Sequence, residues 1–423
     1  MSERLTIEGG RPLRGIYRVQ GNKNAALPLV AASVLSPGPL TLRNVPSIID
    51  INNLVSLMEG LNVRTEWQGR NLLIDPGQLK ASQLPTDIVH RLRGAILLLG
   101  AIAPKIDSLV CALPGGCPIG RRSFEVHWSA FRACGFRVEQ DSEKVILQKD
   151  CVVKNPSIFL EEASVTATEN ALIFMAGLGG GEIKNPAREP HVLSLIEFLR
   201  DLGCHIEVDS LSVRILSGVS NAPTADFEVP GDYVDAGTLA IAATVTSGEI
   251  ELTGIDGKTM LGVAPVLSKF GISMHPLEDM KWSVRATQGE NPGRVIAGPW
   301  PAFPTDLVSL VIVLATQGHG QCLIHDWMYE ARMFFVDKLA RMGASVTLCD
   351  PHRVMINGPR KLRGITLESP DIRAGMAMVV AGLCAEGTTV IEHAEVIRRG
   401  YEHVTKRLSG LGAEISADMP TGK

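Results

Sequence analysis

The stretch Leu199-Arg-Asp-Leu-Gly-Cys-His-Ile-Glu-Val208 combines three signals. Apolar residues at helical spacing run into Gly203, and an alternating segment follows it. A glycine there fits a helix C-cap in the left-handed region, where Asn is the usual substitute. The pattern occurs six times, as MEGLNVRTEW (58–67), FRACGFRVEQ (131–140), LRDLGCHIEV (199–208), LSKFGISMHP (267–276), LARMGASVTL (339–348) and LSGLGAEISA (408–417). The stops at Asn62, Gly135, Gly203, Gly271, Gly343 and Gly412 are 73, 68, 68, 72 and 69 residues apart. A second mark recurs upstream, a tight turn opening a strand, in SPGPLTLRNV, GGGEIKN, TSGEIELTG, GHGQCLIHD and EGTTVIEH; the second copy, Ile106–Leu113, carries it weakly. Units of about 70 residues exceed typical solenoid repeats, so six of them predict an α/β protein of two globular halves with three units each. FEVPGD, residues 227–232, interrupts the period and marks the boundary between halves.

Bulk properties agree with two large domains. The 423 residues are 45% apolar and 20% charged, a soluble globular composition. A formal net charge of −4 gives no overall footprint for nucleic acid or an anionic membrane, so any affinity for anions is local. The start lacks a basic region followed by an apolar core, and the longest apolar runs fall short of the roughly 18 residues of a membrane span. A cytoplasmic protein is expected. Eight cysteines occur without a C-x-x-C pair or zinc-ligand spacing, which predicts neither a disulfide framework nor a structural metal. Nucleotide P-loop, nucleophile-elbow and zinc-protease motifs are absent, and Gly177–Gly181 follows a helical run and precedes a strand, the reverse of a dinucleotide-binding turn.

Chemistry-bearing residues concentrate elsewhere. Leu113-Pro-Gly-Gly-Cys-Pro-Ile-Gly-Arg-Arg122 sets Cys117 in a glycine loop near two arginines, which lower a thiol's pKa and suit phosphate or carboxylate oxygens. Taken alone, the segment reads equally as a surface turn with solvated arginines. Arg332, Arg373 and Arg399 each follow a turn or strand end and, with Lys23, supply cations for a small multiply charged substrate if the fold converges them. Asp306 in PAFPTDL precedes an apolar run. Local evidence favours a helix cap there, with a general base at a cleft as the alternative.

GNKNAALP, LRGAILLLG, LPGGCPIGRR, ATENA, NPAREP, PAFPTD, RMGA, DIRAG, AEGTT and RGYE, in this order and nearly end to end, resemble the UDP-N-acetylglucosamine 1-carboxyvinyltransferase family, enolpyruvyl transferases that begin peptidoglycan precursor synthesis. The resemblance implies a two-domain inside-out α/β barrel, each domain built from three βαβαββ-type units. One domain comprises residues 1–21 plus 231–423 and the other, carrying the Cys117 loop, residues 22–230. It implies transfer of the carboxyvinyl group of phosphoenolpyruvate to a hydroxyl of UDP-N-acetylglucosamine, with release of phosphate through a tetrahedral ketal and with neither cofactor nor metal. Carried across by position, Cys117 is the proton donor to the methylene carbon and Asp306 the carboxylate near the attacking hydroxyl. Lys23, Asn24, Arg93, Arg122, Ser164, Val165, Met328, Arg332, Asp371, Arg373 and Arg399 are the implied substrate contacts.

Departures cluster on the acceptor side. Arg122-Ser-Phe-Glu-Val126 stands where the family has Arg-Pro-x-Asp-Leu beside the uracil, and Glu162-Ala-Ser-Val-Thr166 where it has a basic residue followed by Ser-Val-Gly at the diphosphate. Ala331 and Arg398 replace an Asn and an acidic residue beside Arg332 and Arg399. A carboxylate near a diphosphate is electrostatically unfavourable. The same reaction on another acceptor, such as a uridine nucleotide, is therefore the alternative, and a non-catalytic binding or regulatory paralogue is one of another class. The shikimate-phosphate enolpyruvyl transferases are not expected to carry the PGGC loop. RNA 3′-phosphate cyclases need a nucleotidyl-accepting histidine and a basic surface.

Overall fold

The computed structural model describes residues 3–77, 84, 86–90, 92–115, 120, 123–151, 153–220, 226–286 and 289–418. The chain forms two compact units, one from Met1–Gln20, Cys117–Arg121 and Gly231–Lys423 and the other from Gly21–Gly116 and Arg122–Pro230. Each unit holds three small sheets around its own buried helices.

The six stops all adopt the left-handed conformation: φ is 64° at Asn62, 92° at Gly135, 90° at Gly203, 76° at Gly271, 103° at Gly343 and 95° at Gly412. Each ends a short amphipathic helix and turns the chain into a strand. Helix Pro190–Asp201, for example, leads through Gly203 into strand His205–Val208, which pairs antiparallel with Ser212–Ser217. The rest of each repeat is a helix apolar on every side. Val165–Leu178, Tyr233–Val245, Val308–Gln317 and Ile372–Cys384 are buried along almost their whole length, as expected of helices surrounded by protein.

Among the described residues, five sheets share one plan, an antiparallel pair extended by a third antiparallel strand with a parallel strand at one edge. In two of them the parallel partner is supplied from far along the chain. Arg14–Arg18 pairs with Glu249–Thr253, and Phe227–Glu228 pairs with Leu40–Arg43. The N-terminal strand Arg4–Glu8 completes the last repeat by pairing with Glu414–Asp418. These pairings stitch the first 20 residues into the unit that also contains the C-terminal half. The second repeat, whose upstream turn is weak in sequence, forms a three-stranded sheet among the described residues. Among the described residues the sheets number six and are not joined into a closed barrel; within each unit the buried helices are inside, as the inside-out architecture requires. Among the described residues no helix is long and apolar enough to cross a membrane.

Candidate active site

In the unit containing the termini, a charged cluster forms at the ends of buried elements. Asp306 lies in the 3-10 turn Thr305–Leu307, which follows Pro304 and leads into helix Val308–Gln317. One oxygen accepts from Arg332 Nη2 at 3.1 Å and the other from Arg373 Nη2 at 2.7 Å. The Arg332 and Arg373 side chains are 1% and 7% exposed and that of Asp306 is 25% exposed, so the carboxylate is the accessible end of the cluster. Burial by itself would lower the Arg373 pKa, but Asp306, Tyr401 and Asp232 hold it well above its ordinary value. Arg332 also faces Asp326, whose Oδ2 is 3.8 Å from its Nε. Asp326 is fully buried and accepts from Thr305 Oγ1 and, at 3.0 Å, from the Met328 N–H. Met328 is thereby fixed through its backbone.

Asp371 takes a different part. Its Oδ1 accepts from the N–H groups of Arg373 (2.8 Å) and Ala374 (3.0 Å), capping helix Ile372–Cys384 and setting where Arg373 leaves it. Arg399 ends the 3-10 turn Ala394–Arg399 and is half-buried.

The other unit carries a cation and a neutral network. Lys23 opens helix Lys23–Ala32, where Asn22 accepts from the Ala25 N–H at 3.0 Å. Its Nζ is 2.8 Å from Asp50 Oδ2, and both residues are buried. Asn24 follows it, half-buried. Arg93 stacks on Phe124, its guanidinium carbon 4.2 Å from the ring centroid, and donates to the Ser123 carbonyl at 3.3 Å. Ser164 is the residue before helix Val165–Leu178 and leaves that terminus without a side-chain cap.

Directly inside that terminus, Thr166 Oγ1 is 3.3 Å from His127 Nε2, and His127 Nδ1 is 3.2 Å from Asn170 Nδ2. Asn170 Oδ1 accepts from the Gly100 N–H at 2.9 Å, so its Nδ2 donates to His127 Nδ1. The neutral ring then carries its proton on Nε2 and donates to Thr166. Burial, with the Arg93 charge second, pushes the His127 pKa down to about 3. One turn along the same helix, buried Glu169 is raised well above the ordinary carboxylate range by burial and by Glu189.

The expected contacts Cys117 and Arg122 lie outside the described residues. Burial pushes the thiols of Cys111, Cys134, Cys204, Cys322 and Cys384 up to about 12, removing them as nucleophiles near neutral pH. Sequence reasoning passed over Asp326, Asp50, His127 and Asn170. The signal for Asp326 was its place at the end of the apolar strand Gly320–Asp326, where an inward carboxylate needs a cation.

Residues 7–408 match the family model of EPSP synthase (3-phosphoshikimate 1-carboxyvinyltransferase). The chain is 39% identical over 419 residues to the UDP-N-acetylglucosamine 1-carboxyvinyltransferase of Treponema denticola, covering 97% of this chain and 98% of that protein. It is 38% identical to the protein of that name from Bradyrhizobium diazoefficiens, covering 97% and 96%. The chain belongs to this carboxyvinyltransferase family. It is accordingly a transferase of the carboxyvinyl, or enolpyruvyl, class. Among solved structures, the enolpyruvyl transferase NikO from Streptomyces tendae has a TM-score of 0.88 at 21% identity, covering 98% of this chain and 99% of that one. An EPSP synthase from Acinetobacter baumannii has a TM-score of 0.76 at 18% identity, covering 98% and 100%. These likenesses show the enolpyruvyl transferase fold.

Proposed function

We propose that the chain transfers the enolpyruvyl group of phosphoenolpyruvate to a hydroxyl of UDP-N-acetylglucosamine, releasing phosphate, as a cytoplasmic step toward peptidoglycan. The hydroxyl oxygen bonds to C2 of phosphoenolpyruvate and gives up its proton, while the methylene carbon gains one. The resulting tetrahedral ketal then expels phosphate and loses a proton from the methyl group, restoring the double bond. In this reading Asp306 accepts the hydroxyl proton and Cys117 protonates the methylene. Lys23, Arg122, Arg332, Arg373 and Arg399 bind the phosphate and carboxylate charges.

The observation that supports the reading is the partly exposed Asp306 side chain between two buried guanidiniums. Paired arginines orient the carboxylate, and an anionic substrate that draws one of them away frees an Asp306 oxygen to face the hydroxyl.

A second acceptor, with less phosphate charge, is favoured by two features. Glu162 is exposed just ahead of the uncapped helix start, and the Thr166 hydroxyl beside it is engaged by His127. Phosphate release from phosphoenolpyruvate across UDP-N-acetylglucosamine, uridine monophosphate and shikimate 3-phosphate separates the readings. Release dependent on UDP-N-acetylglucosamine at micromolar KM supports the first, preference for the monophosphate supports the second, and no acceptor-dependent release contradicts both.

A further inference from the structure

Gln20 is fully buried at the end of the N-terminal segment, and every polar group of the residue is used. Its N–H donates to Asp235 Oδ2 at 3.0 Å and its carbonyl accepts from the Asp232 N–H at 2.9 Å. The side chain turns toward residues 400–407. Nε2 donates to the Gly400 carbonyl at 2.9 Å, and Oε1 accepts from the Glu402 N–H at 2.9 Å and from Arg407 Nη1 at 3.0 Å. Two donors converge on one atom and an acceptor faces the other, which fixes the amide orientation.

The amide therefore grips the main chain on both sides of Tyr401, two residues beyond Arg399. Tyr401 is buried, its hydroxyl 3.1 Å from Thr238 Oγ1 and its ring 5.3 Å from the Arg373 guanidinium carbon. Arg407, the far support of Gln20, is itself fixed. It stacks on Tyr17 at 4.2 Å, donates to the Arg18 carbonyl at 2.6 Å and reaches Asp235 at 3.2 Å. Tyr17 completes the ring by bonding both Asp235 oxygens, at 2.9 and 3.1 Å.

We propose that Gln20 is a positioning residue for the donor substrate, holding the Gly400–Glu402 main chain so that Arg399 and, through Tyr401, Arg373 present their guanidiniums in fixed places. Gln20 touches no reacting atom. The inference rests on the proposed function, because it takes Arg399 and Arg373 as contacts of phosphoenolpyruvate.

The informative variant is Gln20→Glu, which keeps the side-chain size and both acceptor bonds but faces the Gly400 carbonyl with an oxygen; Gln20→Met removes all three side-chain bonds. Losing one buried bond from the clamp is expected to raise the phosphoenolpyruvate KM roughly tenfold in Gln20→Glu, and more in Gln20→Met. The acceptor KM should stay within about twofold, a split that general loss of folded protein does not produce. Wild-type hydrogen exchange supplies a readout without substitution, since the Glu402 amide should be among the slowest in its segment. An unchanged phosphoenolpyruvate KM in both variants, or a Glu402 amide that exchanges as fast as a surface amide, overturns the inference. A wild-type enzyme that releases no phosphate from phosphoenolpyruvate with any acceptor instead contradicts the functional reading.

Discussion

The Asp306 cluster and the His127 chain are both buried polar networks at the ends of helices, yet they handle charge in opposite ways. Around Asp306 the groups are ionised and compensate one another: two guanidiniums meet Asp306, and one of them also faces Asp326. Around His127 the groups are neutral and ordered by donor and acceptor alone, from the Gly100 N–H through Asn170 and the imidazole to the Thr166 hydroxyl. A charged cluster with a partly exposed carboxylate suits chemistry in which protons and phosphate move. A neutral chain with a fixed tautomer suits recognition by shape and hydrogen bonding. The difference teaches where sensitivity to substitution and to pH should lie.

Arg332→Met should have the largest effect, because it strands the fully buried Asp326 carboxylate without its cation. Breaking such a pair costs about 3–5 kcal/mol, measurable as a shift in the denaturant midpoint. Stability within about 0.5 kcal/mol of wild type would show that Thr305 and the Met328 N–H suffice for Asp326.

Changing pH probes the neutral network. His127 has a folded pKa of about 3 against an ordinary 6.5, so between these values the unfolded chain binds the extra proton. Its contribution is fully present above pH 6.5 and is lost as pH falls toward 3, by up to about 1.4 kcal/mol per pH unit. His127→Gln should flatten that part of the stability profile, as read by urea unfolding from pH 7 to 5. Glu169 works in the other sense, since its raised folded pKa loses stability as pH rises above the ordinary 4.5. The wild-type-minus-variant difference isolates His127, and an identical slope in both proteins would place the sensitivity elsewhere.

The smallest effect is expected at Glu162→Lys. Reversing an exposed charge beside the helix start should lower the KM for a diphosphate acceptor by up to about tenfold, with kcat unchanged. A KM that does not move would mean that the acceptor's phosphates do not approach this loop.

The fold was legible because its decisive signals are local. Each stop residue needs only its own backbone conformation, and the apolar periods on either side name a helix and a strand. The distant parallel edge pairings were not legible, because Arg14–Arg18 meets Glu249–Thr253 across more than two hundred residues and no local pattern announces it. The same limit governs the site. Asp306 read locally as a cap, and its partners lie 26 and 67 residues further on. Asp371 shows the reverse: named through family resemblance as a substrate contact, it spends one oxygen capping the helix that carries Arg373. Pairing of His127 with Thr166 and Asn170 likewise depends on two helices whose contact the sequence does not state.

The central claim, that the partly exposed carboxylate of the charged cluster accepts a proton while the buried arginines bind anions, is tested most directly by Asp306→Asn. The amide keeps the shape and loses the base. Phosphate release in the presence of UDP-N-acetylglucosamine should fall about 10²–10⁴-fold, while phosphoenolpyruvate still binds within a few-fold of wild type by equilibrium titration. Turnover close to wild type in that variant would contradict the account and leave Asp306 as a structural counter-ion of Arg332 and Arg373.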